Sequence, residues 1–320
     1  MKVIVTGAAG FIASHLCQNL LKAGHIVYMA DLSEPNQNDK DWHNLVAHPN
    51  AKFLEIDCLD SAQLEKLDDD FTHIVHFAAL LGVEYVLKNP KKTLAHNVEL
   101  TINVAELAER QRCLQKFVFA STSEVYAGTE IAGELNFPTV EQSKIIIPDT
   151  SLPRTSYMLS KVYGEAIVQS LGLPHLIIRP HNIYGPRMGE RHVIPQLLRK
   201  IHENISGEIE VFSMDHSRTF CFADDAAEMI EKLMFSKNVI GETVNIGSER
   251  PEIQIGELAN LLMGIVGKKL NVVGLPPTEG SPTRRVPDMK KCYSLCNFSS
   301  HTPLELGLKK TYAWYRDNVF

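Results

Sequence analysis

The 320-residue sequence has no run of like charge, no Cys-x-x-Cys pair, no internal repeat and no low-complexity tract. Without a basic block nothing looks like a nucleic-acid arm or a polybasic membrane anchor. Lys+Arg 32 against Asp+Glu 38 leaves a net charge of −6. No apolar stretch approaches the ~18 residues that span a bilayer; the longest, Ile74 to Val83, is broken by His76 and Gly82. The opening MKVIVTG is one Lys, a short β-branched stretch and a turn, and it lacks the apolar core of a signal peptide. A cytoplasmic protein is expected. The six cysteines (Cys17, Cys58, Cys113, Cys221, Cys292, Cys296) are scattered. Cys292 and Cys296 lie four apart with no second pair and no close His, and His43, His48, His175, His192 and His202 show no ligand spacing. Reduced thiols used as small hydrophobes are expected, and no metal site.

What is present is ordinary for a soluble globular chain: 44% apolar and 22% charged residues. The length suits about two domains or one large one, with enough core to need no disulfides. The first half alternates strand-like and helix-like segments. Strands are predicted at Val3–Thr6, Ile26–Ala30, Lys52–Ile56, Ile74–Ala78 and Phe117–Ser121. Helices are predicted at Phe11–Ala23, with Gly24 as a stop, and at Asn97–Gln111. Such alternation implies a parallel sheet covered on both faces. Past residue 180 the alternation thins and Pro and Gly cluster at Ile183–Met188, Gly274–Pro287 and Thr302–Gly307. Helices are predicted there at His192–Glu203, Asp224–Phe235, Ile255–Val266 and Leu304–Asn318. The expected architecture is α/β: a Rossmann-type doubly wound parallel sheet over residues 1–180 and a smaller C-terminal α/β lobe over 181–320, with the chain free to cross back between them.

The first strand runs into Thr6-Gly7-Ala8-Ala9-Gly10-Phe11-Ile12-Ala13 and a helix follows. Gly7 and Gly10 allow a tight turn and a close approach of backbone to a pyrophosphate, which a helix N-terminus attracts. Ala13 at the third small position still permits close helix–strand packing. Asp31 ends the second strand, 21 residues after Gly10. A carboxylate there can accept from both ribose hydroxyls of NAD and would repel a 2′-phosphate. Further along, Tyr157 and Lys161 stand four apart on a predicted helix and share one face. An ammonium beside a phenol lowers its pKa from about 10 and makes it a base for an alcohol proton. Ala120-Ser121-Thr122-Ser123-Glu124-Val125-Tyr126 ends the fifth strand, where open parallel sheets bind ligands.

With these motifs the chain resembles an extended short-chain dehydrogenase/reductase of the NAD-dependent epimerase/dehydratase family, whose substrates are nucleotide sugars. The resemblance covers essentially the whole chain. It rests also on His76-Phe77-Ala78-Ala79, Arg179-Pro180-His181-Asn182-Ile183-Tyr184-Gly185-Pro186-Arg187, Arg218-Thr219-Phe220, Asp224/Asp225 and Arg284-Arg285. It implies a triad of Thr122, Tyr157 and Lys161. It implies an NAD site built from Gly7, Gly10, Phe11, Ile12, Asp31, Asp57, Cys58, Ala78, Ala79, Leu80, Asn97, Tyr157, Lys161 and Pro180. It implies a nucleotide-sugar site holding Ser123, Arg154, Asn182, Arg187, Val193, Arg218 and Arg284. It also implies a homodimer through the helices Asn97–Gln111 and Tyr157–Leu171.

The implied reaction oxidises C4 of a nucleoside-diphosphate sugar to a ketone. Simple C4 epimerases of the family usually carry a small residue where this chain has Glu124, whereas 4,6-dehydratases and sugar-acid decarboxylases carry an acid. A C4 ketone acidifies the C5 proton, which a carboxylate can remove before water leaves C6. If C6 is a carboxylate, the β-keto acid loses carbon dioxide. Glu124 alone would also serve as a strand-end cap. Pro153-Arg154 and Asn89-Pro-Lys-Lys-Thr-Leu-Ala-His-Asn97 are similar to UDP-glucuronate decarboxylases, and Arg154 suits a carboxylate or a surface ion pair. The segment 186–190 is closer to GDP-sugar dehydratases. Decarboxylation or dehydration with NAD regenerated is the leading expectation. C4 epimerisation, oxidation stopping at the ketone, and a non-catalytic NAD-binding regulator are the alternatives.

Overall fold

A computed structural model describes residues 1–34, 39–277, 282–299 and 301–320. Seven strands form the central sheet: β1 (Lys2–Thr6), β2 (Ile26–Asp31), β3 (Ala51–Glu55), β4 (His73–His76), β5 (Lys116–Ala120), β6 (His175–Pro180) and β7 (Glu242–Ile246). They run in the order β7-β6-β5-β4-β1-β2-β3 and every pairing is parallel. The central strands are buried on both faces, and β1 and β5 read as near-continuous apolar runs. The pleat sorts them: Val3, Val5, Val75, Val118 and Ile178 join one core, while Ile4, Ile74, Phe117, Phe119 and Ile177 join the other.

Two of these strands escaped the sequence reading. The three apolar residues of β6 sit between His175 and Arg179, and β7 carries a buried Asn245 in mid-strand. Both are too polar to stand out as core strands.

On the first face lie α1 (Phe11–Lys22) and a later helix, Ala223–Phe235; on the second lie α2 (Pro90–Glu109) and α3 (Pro153–Ser170). Helix α2 begins seven residues before the predicted start at Asn97. Pro90 opens it, a position where a missing N–H costs nothing. Its first turns bury Thr93 and Asn97 rather than apolar side chains, so hydrophobic spacing did not reveal them.

A second core lies apart from the sheet. Tyr184, Ile194, Leu198, Ile201, Leu258, Leu262, Leu308 and Tyr315 build it, from helices Val193–His202, Ile255–Val266 and Leu304–Asn318 and short strands. Residues 223–246 return to the large sheet and supply β7. Part of the Pro/Gly-rich stretch 274–287, residues 278–281, lies outside the described residues. No helix among the described residues is long and apolar enough to cross a membrane.

Candidate active site

The C-terminal ends of β1, β4, β5 and β6 form one edge, and the sequence-predicted residues gather along it. Gly7 has φ +69°, and a Cβ on it would sit 2.7 Å from the Ala78 backbone nitrogen. The turn therefore packs against the end of β4 as only glycine allows. Helix α1 has Gly10 as its N-cap, with no side-chain cap and no acidic residue in its first turn. Its unpaired N–H groups and positive end, flanked by Phe11 and Ile12, suit a diphosphate. Asp31 Oδ2 accepts from Ala9 N at 2.9 Å and Oδ1 from Leu32 N at 2.8 Å. Each carboxylate oxygen keeps a further lone pair for a ribose hydroxyl. These features fit NAD.

The remaining predicted NAD residues divide into walls and struts. Cys58 is buried, and burial pushes its thiol up to about 12. Asp57 Oδ1 accepts from Leu59 N at 2.9 Å, which holds the loop after β3. Ala78, Ala79 and Leu80 follow β4, and Pro180 ends β6. Asn97 acts through Leu80: its Oδ1 accepts from Leu80 N at 2.7 Å, and its Nδ2 donates to Leu80 O at 3.0 Å and Ser160 Oγ at 3.2 Å. It is a strut that shapes the 78–82 loop.

Thr122 caps a 3₁₀ turn, Ser123–Tyr126, directly after β5 and accepts from Glu124 N at 3.2 Å. Tyr157 stands in the first turns of α3, close enough to Thr122 for that hydroxyl to act on its phenol. Burial and then the Glu124 charge push the phenol up, and the Thr122 hydroxyl offsets only part of this. Lys161 does not figure among these influences. Lys161 Nζ donates to the Ala120 carbonyl at 2.8 Å and lies over the Phe119 ring, 5.1 Å from its centre. Burial moves its own pKa down to about 8, so it is a weakly held cation.

Glu124 is clamped. Arg285 donates to its Oε1 at 2.8 Å, and Arg154 lies 3.6 Å from its Oε2. Burial alone would raise this carboxyl, but the guanidiniums of Arg285, Arg154 and Arg218 outweigh it and hold it below the usual carboxylate range. Arg218 pairs with Arg285 in register across neighbouring strands. It donates to the carbonyls of Ser217, at 2.7 Å, and Pro282. Burial, with Arg285 adding to it, lowers its pKa to about 10. Ser123 is buried beside this group and lines a narrow slot with Arg284 and Arg285.

Four predicted substrate residues have places of their own within the fold. Arg187, in the left-handed region at φ 68°, pairs with Asp39 at 2.8 Å and lies over Trp42, fastening the 183–187 loop to the start of the helix Lys40–Val46. Arg284 forks Glu252 at 2.7 and 2.8 Å and turns away from Glu124. Asn182 donates to the Thr219 carbonyl at 3.0 Å. Val193 opens the helix Val193–His202, half-buried.

The sequence reading missed the buried polar network behind the site. Arg179 forks Glu165 of α3 at 2.8 and 2.6 Å and donates to Tyr126 Oη at 2.7 Å. Ser121 Oγ donates to Glu165 at 2.5 Å. The turn carrying Glu124 is thereby tied to the helix carrying Tyr157 and Lys161. Glu165, four after Lys161 on α3, was a visible hint; its partner on β6 was not.

A doubly wound sheet with a dinucleotide cradle and a Thr–Tyr–Lys group at its carboxyl edge defines a nicotinamide-dependent enzyme of the extended short-chain dehydrogenase type. The profile of the NAD dependent epimerase/dehydratase family matches residues 3–247, and the chain belongs to that family. It is a nucleotide-sugar-modifying, NAD-dependent member. It is 31% identical over 327 residues to a UDP-N-acetyl-alpha-D-glucosaminuronate decarboxylase of Bacillus cytotoxicus, covering 99% of this chain and 98% of that one. It is 28% identical to a UDP-glucuronate 4-epimerase of Thermodesulfobacterium geofontis, covering 99% and 96%. Among solved structures, the UDP-glucuronic acid 4-epimerase of Bacillus cereus in complex with UDP-glucuronic acid and NAD aligns with TM-score 0.85 at 27% identity, over 99% of each chain.

Proposed function

We propose that this protein oxidises C4 of a nucleoside-diphosphate hexuronate and that the resulting β-keto acid loses carbon dioxide. The observation that carries this reading is the pair of guanidiniums, Arg154 and Arg285, converging on Glu124, whose charge acts on the neighbouring Tyr157 phenol. A site with three arginines around one carboxylate suits a second, substrate carboxylate.

Tyr157 takes the C4 hydroxyl proton while Thr122 holds that hydroxyl in place, and Lys161 stabilises the phenolate. Bound NAD would supply reversible hydride chemistry at C4 and a positive charge that favours phenolate. The electrons of the C5–carboxylate bond move into the C4 ketone as carbon dioxide leaves. A proton then adds at C5 and the ketone is reduced. The sum is nucleoside-diphosphate hexuronate plus a proton giving nucleoside-diphosphate pentose plus carbon dioxide, with no outside redox partner. The homodimer through α2 and α3 is part of the same proposal; Ile102 and Tyr163 are exposed on those helices.

A second reading is uronate C4 epimerisation, favoured by the similarity to UDP-glucuronate 4-epimerases. Mass spectrometry of products from a panel of UDP-, GDP-, dTDP- and CDP-sugars, uronates included, separates these. Loss of carbon dioxide is expected. Loss of water would make it a dehydratase with Glu124 as base. An unchanged mass with an epimer by NMR would replace the proposal with epimerisation. Tyr157→Phe with unchanged turnover would sink the mechanism.

A further inference from the structure

A chain of hydrogen bonds starting at Arg179 fixes the protonation of a side chain in the site. Arg179 can only donate, and its NH1 does so to Tyr126 Oη at 2.7 Å. The Tyr126 proton therefore goes to Asn245 Oδ1, 3.0 Å away. Asn245 Nδ2 donates to the Thr139 carbonyl at 3.0 Å, which sets the orientation of the amide and leaves Oδ1 as acceptor. The same Oδ1 lies 3.0 Å from His181 Nε2, so Nε2 carries a hydrogen. Burial keeps the imidazole neutral, with a pKa down at about 3; Arg285 and Arg179 add to this against the Asn245 bond. His181 Nδ1 is then a bare lone pair. It is buried and has no partner among the described residues, an uncommon state for a buried polar atom. His181 lines the slot bounded by Ser123, Tyr126, Thr139, Arg284 and Arg285.

A group that satisfies Nδ1 must donate. Carboxylate and diphosphate oxygens have no hydrogen and are excluded at this atom. The Arg285 guanidinium, whose charge acts on His181, only donates, so a group meeting both must also accept. A hydroxyl does both. We propose that His181 is a specificity-determining residue that accepts a hydrogen bond from a hydroxyl of the substrate's sugar ring, while Arg285 donates to the same oxygen. This rests on the nucleotide-sugar reading above. In a hexuronate the C4 hydroxyl reacts, which leaves the C2 or C3 hydroxyl for His181.

The test compares wild type and His181→Phe on UDP-glucuronate and its 2-deoxy and 3-deoxy analogues. Wild type should lose roughly tenfold or more in kcat/KM on one of the two analogues. His181→Phe should lose a similar factor on the parent and show no further penalty for that analogue. Equal penalties for both enzymes on both analogues would overturn the proposal. Nitrogen-15 histidine NMR of the NAD-loaded wild type gives a readout independent of the variant. The His181 Nδ1 resonance should sit at the unprotonated position and move with UDP-glucuronate but not with UDP. A protonated Nδ1, or no movement, overturns the assignment. Turnover without His181 coupling removes this proposal alone; absence of turnover and binding for every nucleotide sugar removes the functional reading with it.

Discussion

The glycine loop and the Glu124 cluster stand at the same edge of the sheet, but they are assembled from opposite materials. The first is backbone: Gly7, Gly10 and Asp31 lie within 25 residues of one another, and the contacts that shape it are main-chain N–H groups reaching Asp31. The second is side chain: Arg285 reaches Glu124 across 161 residues of sequence, and Arg154 and Arg218 arrive from two other segments. A local backbone cradle is specified by residue types that tolerate its dihedrals. A side-chain cluster exists only once the whole fold has closed.

This contrast predicts different failures. Gly7→Ala should act on the cradle alone: its Cβ would meet Ala78 N at 2.7 Å in a left-handed conformation that costs about 1–2 kcal/mol for an L side chain. The expected outcome is loss of NAD binding, read by cofactor content and fluorescence titration. Retention of NAD at wild-type affinity would break the comparison. Glu165→Gln attacks what holds the cluster together, leaving Arg179 as an unpaired buried cation. It should lower stability by about 3–5 kcal/mol in denaturant titration, with the lesion felt at Glu124 and Tyr157 together because Arg179 joins their elements. Arg285→Ala should leave the fold intact and reduce kcat by roughly 100-fold, the order of about 3 kcal/mol for a charge-assisted contact. The pH profile should shift with it, since Arg285 is the largest influence holding the Glu124 carboxyl down against burial.

The same contrast decides what could be read from sequence. The alternation of strand and helix, the glycine turn, Asp31 and the Tyr157/Lys161 spacing are local patterns, and each recurs at or within a few residues of its expected place. Strands β6 and β7 were not legible because Arg179 and Asn245 interrupt their apolar pattern. Arg285 was visible only as half of an arginine pair. Nothing before folding distinguishes it from Arg284, because the choice is made by strand register. The Tyr157–Lys161 spacing gave a shared helix face but not the Ala120 carbonyl that takes up the ammonium.

Lys161 sharpens the comparison through pH. Its folded pKa, about 8, lies below the ordinary 10.5. Between these values the unfolded chain binds a proton that the folded chain does not, so stability rises with pH across that window. Burying the charged form therefore opposes folding below about pH 8, and the opposition fades as pH climbs toward 10.5. Lys161→Met should stabilise the cofactor-free protein at pH 7 by roughly 1–2 kcal/mol once the lost Ala120 bond is subtracted. It should stabilise less at pH 10, while turnover collapses. A destabilised variant at pH 7 would mean that the Ala120 bond outweighs the desolvation of the ammonium.

The smallest expected effect is the most discriminating. Arg284 and Arg285 are consecutive residues of one short strand, so their side chains leave on opposite faces. Register sets Arg285 beside Arg218 and Arg284 beside Ser217. Arg285 reaches the partly buried Glu124, while Arg284 forks Glu252 with 44% of its side chain exposed. An exposed ion pair is worth under about 1 kcal/mol. Arg284→Ala should therefore leave kcat within about twofold and stability within about 1 kcal/mol of wild type, where Arg285→Ala fails. A kcat loss as deep as that of Arg285→Ala would mean that the strand turns over on binding substrate, and that register in the free protein does not fix which arginine faces Glu124.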